Sequence, residues 1–179
     1  MQASGDANDD NPTSHQLSCV SNDDQVESDE QGTNEHGTES DDHLDGGNTD
    51  DTVSGDDGDD TLDGNAGDDD IDGDEGDDDI CGDDGDDDLA GGSGDDDIDG
   101  GDGADKIAGN NGNDTLLGGS GNDKVNGGRG RDHIKTGAGN DKIRVRDGKR
   151  DVVSCGTGDD TVTADRRDKV GKSCEHVNR

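Results

Sequence analysis

A nine-residue period is the feature that most constrains how this chain can fold. From residue 46 to residue 144 the sequence divides, in one register, into eleven nonapeptides, of which GGSGDDDID at 91–99 is representative. Each nonapeptide has an aliphatic residue at position eight and an aspartate at position six. A fixed period over so many units is typical of a solenoid, in which each unit packs mainly on its neighbours.

Composition alone suggests a different structure. The 179-residue chain has no aromatic residue, 20% hydrophobic residues and a formal net charge of −36, as disordered acidic chains often have. A disordered chain, however, has no reason to keep its few aliphatic residues in phase, so the period favours a solenoid. Because so few apolar side chains cannot offset the entropy of ordering the chain, we expect a bound cation to be required for folding.

The nonapeptide resembles the calcium-binding repeat GGxGxDxUx of the repeats-in-toxin, or hemolysin-type, family, in which U is a large aliphatic residue. GGSGDDDID at 91–99 matches the repeat at every fixed position. The resemblance implies an all-β fold, a right-handed parallel β-roll with about 18 residues per coil, in which six-residue turns alternate with three-residue strands. It also implies that calcium lies between stacked turns, bound by position-six aspartates and main-chain carbonyls.

The residue chemistry agrees with this implication. Ca²⁺ is a hard cation that takes six to eight oxygen ligands in flexible geometry, and glycine lets the backbone turn its carbonyls toward one point. Sites shared between stacked turns would number about nine. The predicted metal ligands are the position-six aspartates Asp51, Asp60, Asp69, Asp78, Asp87, Asp96, Asp105, Asp114, Asp123, Asp132 and Asp141.

Three regions are predicted. Residues 1–43 lack the period and indicate a flexible acidic arm, residues 44–153 form the calcium-binding roll, and residues 154–179 form a C-terminal cap. The last unit of the roll, VRDGKRDVV at 145–153, has Arg150 where the aspartate is expected, so we predict that it binds no calcium through position six. CGTGDDTVT at 155–163 then restores the pattern, one residue out of frame.

The C-terminal region resembles the cysteine-paired cap of secreted bacterial members of the family. This resemblance implies a disulfide between Cys155 and Cys174 and favours an extracellular location, although no signal peptide is apparent in the sequence. Cys19 and Cys81 leave three alternatives open: a disulfide between them, two free thiols, or a bridge to another molecule.

Charge is distributed unevenly along the chain. All 15 Lys and Arg residues lie at or beyond Lys106, whereas 40 of the 51 acidic residues precede it. With 18 residues per coil, one sheet face would carry a column in which the sign changes between Asp88 and Lys106, and weak self-association through such faces is one hypothesis. Negative charge and the lack of aromatics argue against nucleic acid, and no apolar run is long enough for membrane insertion.

We therefore predict a non-enzymatic, secreted calcium-binding β-roll. The five histidines are scattered and no nucleophile motif accompanies them, so catalysis is not expected. Segments that fit the start of an EF-hand loop lack the glutamate at its twelfth position and any flanking helix. Two alternatives remain: a calcium-dependent adhesion or ice-binding solenoid, and the C-terminal module of an exported enzyme.

Overall fold

The computed structural model describes Gly32 and residues 34–179, and within this range all regular structure is β-strand. The strands alternate between two sheets, so that odd-numbered strands form a nine-stranded sheet and even-numbered strands form an eight-stranded sheet. All neighbouring strands are parallel. The fold is therefore a parallel β-solenoid of the β-roll type, as the sequence predicts. None of the described residues forms a helix of the length and apolarity needed to cross a bilayer.

Most strands are short because they consist mainly of positions seven to nine of a nonapeptide, and the longest continue into the next nonapeptide. The nine-stranded sheet contains β1 (Asn34–Thr38), β3 (Thr52–Asp56), β5 (Asp70–Asp72), β7 (Asp88–Ser93), β9 (Lys106–Asn111), β11 (Lys124–Asn126), β13 (Lys142–Val145), β15 (Thr161–Ala164) and β17 (His176–Asn178). The eight-stranded sheet contains β2 (His43–Asp45), β4 (Thr61–Asp63), β6 (Asp79–Cys81), β8 (Asp97–Asp99), β10 (Thr115–Leu117), β12 (His133–Ala138), β14 (Val152–Thr157) and β16 (Lys169–Val170).

The core is a double row of aliphatic side chains between the two sheets. Residues 18 apart pair across neighbouring strands, as Leu62 does with Ile80 and Ile71 with Leu89. The position-eight residue of each nonapeptide is buried, and its two neighbours point outward, because side chains in a strand alternate between faces. A one-residue slip of register would turn the whole row outward, so the row fixes the register.

The assignment of Arg150 to position six was wrong. His133 pairs with Val152 and Ile134 with Val153, which gives this coil 19 residues, and the buried aspartate and aliphatic are Asp151 and Val153. The extra residue therefore lies in the turn before Asp151, and the frame shift comes earlier than predicted. A turn accommodates an added residue at little cost, whereas a strand out of register would expose its core residue.

The core widens toward the C-terminal end. Position one of the nonapeptide, a glycine in most of the preceding coils, carries a side chain at Thr136, Val145, Cys155 and Ala164, and all four are buried. The Oγ1 of Thr136 donates a hydrogen bond to the Cys155 carbonyl at 3.1 Å. Each of the last nonapeptides thus buries a position-one side chain as well as the position-eight residue, which provides more apolar contact where the aspartates become fewer.

The predicted charge column lies on the outer face of the nine-stranded sheet. The strand register places Asp70, Asp88, Lys106, Lys124 and Lys142 side by side in successive strands. The Lys106 ammonium and the Asp88 carboxylate lie 2.7 Å apart, where the sign changes, and both side chains are largely exposed. Such an exposed pair contributes little to stability.

The first coil begins before residue 44, since β1 pairs with β3 from Asn34 onward. Most of the predicted arm, including Cys19, lies outside the described residues. Cys81 is disulfide-bonded, so it is not a free thiol, while the pairing of Cys19 stays a prediction. The division into arm, roll and cap likewise remains a prediction.

Candidate metal centre

The position-six aspartates form two hydrogen-bonded ladders, one along each edge of the roll. In each ladder the backbone N–H of one aspartate donates to Oδ1 of the aspartate one coil later, at 2.7 to 3.3 Å. The turns are therefore tied together by side chains as well as by the sheets. All eleven predicted ligand aspartates are buried, with at most 3% of each residue exposed.

The second carboxylate oxygen of most ladder aspartates is buried without a hydrogen-bond partner among the described residues. A buried polar oxygen left unpaired costs about 1–3 kcal/mol, and more when it is charged. A long row of such oxygens therefore indicates a missing positive partner. Oxygens of this kind occur at Oδ2 of Asp60, Asp69, Asp78, Asp87, Asp96, Asp105, Asp114, Asp123, Asp132, Asp141 and Asp160.

The glycine at position one leaves room for this second oxygen. A Cβ atom on Gly109 would overlap with Asp114 Oδ2 and would lie 2.7 Å from the Gly127 carbonyl oxygen. The same arrangement recurs at Gly73, where a Cβ would meet Asp78 Oδ2 and the Gly91 carbonyl oxygen. Position one must lack a side chain in these coils because a carboxylate oxygen and a main-chain carbonyl oxygen converge on it.

Burial makes these carboxylates difficult to ionise. Desolvation, reinforced by the charges of neighbouring aspartates, raises the pKa of Asp69, Asp78 and Asp114 to about 7 and that of Asp96 and Asp105 to about 6. The hydrogen bond from the previous coil lowers the pKa but does not offset the burial. Near neutral pH these five carboxylates therefore favour either a proton or a bound cation.

At the ends of one ladder, protein donors replace the missing partner. Oδ2 of Asp42 accepts hydrogen bonds from the backbone N–H and the hydroxyl of Thr38, at 2.6 and 2.8 Å. At the other end, Oδ2 of Asp168 accepts the backbone N–H of Asp165. The second oxygen of each terminal aspartate of this ladder is thus hydrogen-bonded, and the unpaired oxygens are confined to the coils between them.

The aspartates at position five form further, exposed ladders outside the two buried ladders of position six. Here the backbone N–H of one coil donates to Oδ1 of the coil before it, as Asp77 N does to Asp59 at 3.0 Å and Asp95 N to Asp77 at 2.7 Å. These side chains are exposed, yet their hydrogen bonds link adjacent coils. Asn122 replaces aspartate in this ladder and accepts the N–H of Asn140 at 2.9 Å, so an acceptor at this position need not be charged.

The sequence model of the RTX calcium-binding nonapeptide repeat matches residues 36–71, 45–80, 54–89, 82–116 and 117–149. These matches extend over most of the coils that contain the two ladders, which continue beyond residue 149 to Asp151, Asp160 and Asp168. The chain belongs to this family. Among curated proteins, none shows significant similarity to it.

The residues present fit the cation that RTX repeats bind, which is Ca²⁺. Among the described residues, no three His, Cys, Asp or Glu side chains converge closely enough to hold a metal ion by themselves. An ion between the turns must therefore take many of its ligands from main-chain carbonyls, which converge on the position-one glycines beside the carboxylates. A mixed carboxylate and carbonyl oxygen set suits Ca²⁺, whereas Zn²⁺ prefers nitrogen and sulfur.

Two ladder aspartates were missed as candidate ligands. Asp151 was placed out of phase by the one-residue insertion, and Asp160 lies beyond the last RTX match at residue 149. Asp160 is 0% exposed and its Oδ2 has no partner among the described residues, as in the RTX coils. The spacing of aspartate, any residue and valine in GDDTV at 158–162 was the signal that could have identified it.

The C-terminal cap is closed by the disulfide that the resemblance implies. Cys155 and Cys174 are bonded, with their Cα atoms 5.1 Å apart and a sequence separation of 19. Cys155 occupies position one of its coil and lies in the core. The disulfide thus fixes the final chain segment to the last coils of the RTX roll.

Proposed function

We propose that this chain is a non-enzymatic, extracellular calcium-binding β-roll that folds when several Ca²⁺ ions, about nine, bind between its stacked turns. The observation that carries the proposal is the row of buried Oδ2 atoms that have no hydrogen-bond partner within the described part of the chain. The proposed ligands are the position-six aspartates from Asp51 to Asp141, assisted by main-chain carbonyls.

Electrostatics gives the reason why folding and binding are coupled. Carboxylates of successive coils stack at about the strand spacing of 4.8 Å. Because they are buried, bulk water does not screen the repulsion between ionised neighbours. When bound, calcium supplies the positive charge that lets these carboxylates remain ionised. The ladder aspartates themselves position each turn, because Oδ1 holds the backbone of the previous coil while Oδ2 stays available.

One observation and one general property of calcium modules support an extracellular role. The Cys155–Cys174 disulfide suits an oxidising compartment. Extracellular calcium modules typically bind at ~10⁻⁴ to 10⁻³ M, so they are saturated outside a cell and empty inside it. A roll that requires calcium would then stay unfolded before export and fold afterwards.

Far-UV circular dichroism during a calcium titration tests this function, with magnesium as the control and the disulfides kept oxidised. We expect a cooperative coil-to-β transition with calcium at about millimolar concentration and none with the same concentration of magnesium. A strong β signal in chelator would show that core, ladders and disulfide suffice without metal. No β signal at ~10 mM calcium would contradict both the folding mechanism and the ligand assignment.

A further inference from the structure

The exposed surface of the second half of the roll is strongly cationic. Residues 106–179 carry all 15 Lys and Arg residues and 11 acidic residues. Seven of these acids are buried in the ladders: Asp114, Asp123, Asp132, Asp141, Asp151, Asp160 and Asp168. The acids left outside the ladders are Asp147, Asp159, Asp165 and Glu175, so the bases greatly outnumber the acids at this surface.

The one-residue insertion shapes a cleft within this surface. In the 19-residue coil, the loop before Asp151 is held by Asp147, whose carboxylate accepts the backbone N–H groups of Gly130 and Lys149 at 3.0 and 2.7 Å. Asp165 accepts the N–H of Gly148 at 2.6 Å, and Arg167 donates to the Gly148 carbonyl at 3.1 Å. Both carboxylates thus bind backbone amides, and the loop is fixed against the cap.

Four arginines line the cleft. It has a volume of about 530 Å³ and is bounded by Arg146, Arg166, Arg167 and Arg179, together with the loop and Asp165. A groove that shares Arg146 continues from it past Arg129, Arg144 and Lys149. No carboxylate among the described residues forms an ion pair with any of the four arginines of the cleft. The ion pairs seen in the described part of the chain, Lys106–Asp88 and His176–Asp159, involve other residues.

We propose that this cleft and groove bind sulfate or phosphate groups along an acidic polysaccharide. Guanidinium groups present paired N–H donors that match the oxygens of such groups. The chain has no aromatic residue on which a sugar ring or a base could stack, so recognition must come from the charged groups of the ligand. The groove adds Arg129, Arg144 and Lys149 to the four arginines of the cleft, and so many cations suit a polymer with several anionic groups better than a single small ion.

The acidic half does not cancel this attraction at physiological salt. Asp88 and Lys142 are separated by three strand spacings, about 14 Å, which exceeds the Debye length of about 8 Å. A second copy of the chain is a weaker candidate for the same surface. Its exposed position-five carboxylates already accept backbone N–H groups through Oδ1, and two copies with a net charge of −36 each repel one another.

The test measures binding of fluorescently labelled dextran sulfate to the oxidised, calcium-loaded protein by anisotropy. Inorganic polyphosphate distinguishes phosphate from sulfate as the preferred group, and neutral dextran is the uncharged control. The triple variant Arg146→Ala, Arg166→Ala, Arg179→Ala should weaken binding about tenfold or more, and raising NaCl from ~0.05 to ~0.5 M should weaken wild-type binding by a similar factor.

A matched triple variant controls for net charge. Lys106→Ala, Lys135→Ala and Lys169→Ala remove the same charge from positions outside the cleft, two of them on the opposite sheet, and should change the affinity less than about threefold. Circular dichroism of both variants in calcium verifies that they fold.

Equal effects of the two triple variants would overturn the proposal, since binding would then follow net charge or calcium bridges to the acidic half. Wild-type binding as weak as that of neutral dextran would also overturn it. Sedimentation of the protein alone tests the second copy: a salt-sensitive dimer that the arginine variant abolishes, without a change in dextran sulfate binding, would assign the surface to self-association.

Discussion

Replacing Asp78 with asparagine should shift the folding equilibrium in opposite directions with and without calcium. Asp78 is 1% exposed, its Oδ1 accepts the N–H of Asp60 at 2.9 Å, and its Oδ2 has no partner among the described residues. Asparagine has the same shape and keeps an acceptor for Asp60, and its amide N–H₂ would lie where Oδ2 lies, beside the Gly91 carbonyl. The substitution therefore removes the charge while it preserves the hydrogen bond.

Without calcium, the variant should be the more stable protein. Burial raises the pKa of Asp78 from 3.8 to about 7, so the folded state binds the proton more tightly than the unfolded state does. Stability from this group is present at low pH and is lost as pH rises through about 7. A shift of one pKa unit corresponds to about 1.4 kcal/mol of folding free energy. Because solvent screening reduces this value, we expect asparagine to stabilise the folded state by about 1–3 kcal/mol at pH 8.

With calcium, the same substitution should destabilise the folded state. A neutral amide replaces one charged oxygen ligand, and a contact to a charged group is worth about 1.5–3 kcal/mol. The calcium concentration at the midpoint of folding should therefore rise, and it should rise more steeply for a double substitution in one ladder, because neighbouring coils share the ions.

Circular dichroism measures both effects. Folding in EDTA at pH 8 is followed by titration with trimethylamine N-oxide, which favours burial, and folding in calcium is followed by titration with the ion. The matched control is Asp77→Asn, which removes the same charge from the adjacent exposed position and keeps the acceptor for Asp95. Shifts of the same sign in EDTA and in calcium, or equal shifts for the two variants, would refute the assignment of Asp78 as a buried calcium ligand.

Three further outcomes are expected. Gly109→Ala should raise the calcium midpoint and lower stability by about 1–3 kcal/mol, because its Cβ would overlap with Asp114 Oδ2; an unchanged midpoint would show that the glycine serves only the turn. In EDTA, lowering the pH from 7.5 to 4.5 should increase the β signal, because burial raises the pKa of Asp69 and Asp123 to about 7; a decrease would contradict this. Replacing Cys155 and Cys174 with serine should cost about 3 kcal/mol in calcium, measured by urea unfolding, while the roll still forms; an unchanged urea midpoint would mean that the cap folds without the bond.

The period of the sequence predicts most of the fold and of the candidate site. Position eight must be the core because it is the only regular apolar position, and position six follows as the buried aspartate because no other acidic position is kept in phase. The ladders could not be predicted in detail. A pattern shows that Asp60 and Asp78 are equivalent, but only coordinates show that the N–H of one binds Oδ1 of the other.

The insertion near residue 150 shows where pattern analysis fails. Both Val152 and Val153 are aliphatic, so the sequence allows the extra residue on either side of Asp151. The structure selects Val153 because this choice keeps Asp151 in the ladder, where it accepts the N–H of Asp132 at 3.0 Å. Similarly, Thr136, Val145 and Cys155 occupy position one, where the repeat has a glycine, so the sequence pattern treats them as exceptions. The structure shows that their side chains are buried in the core.

The difference between the buried position-six ladders and the exposed position-five ladders explains why position five varies along the chain while position six does not. Both positions supply an oxygen that accepts a backbone N–H from an adjacent coil, but the inner hydrogen bonds run to the following coil and the outer ones to the preceding coil. An exposed acceptor needs no charge, so Asn113 and Asn122 serve as well as aspartate. A buried acceptor that must also attract a cation needs a carboxylate. Ala104 and Arg131 also occupy position five and have no acceptor to offer, so some outer hydrogen bonds are lost toward the C-terminus while the inner ones continue. The cationic surface develops where those outer charges end.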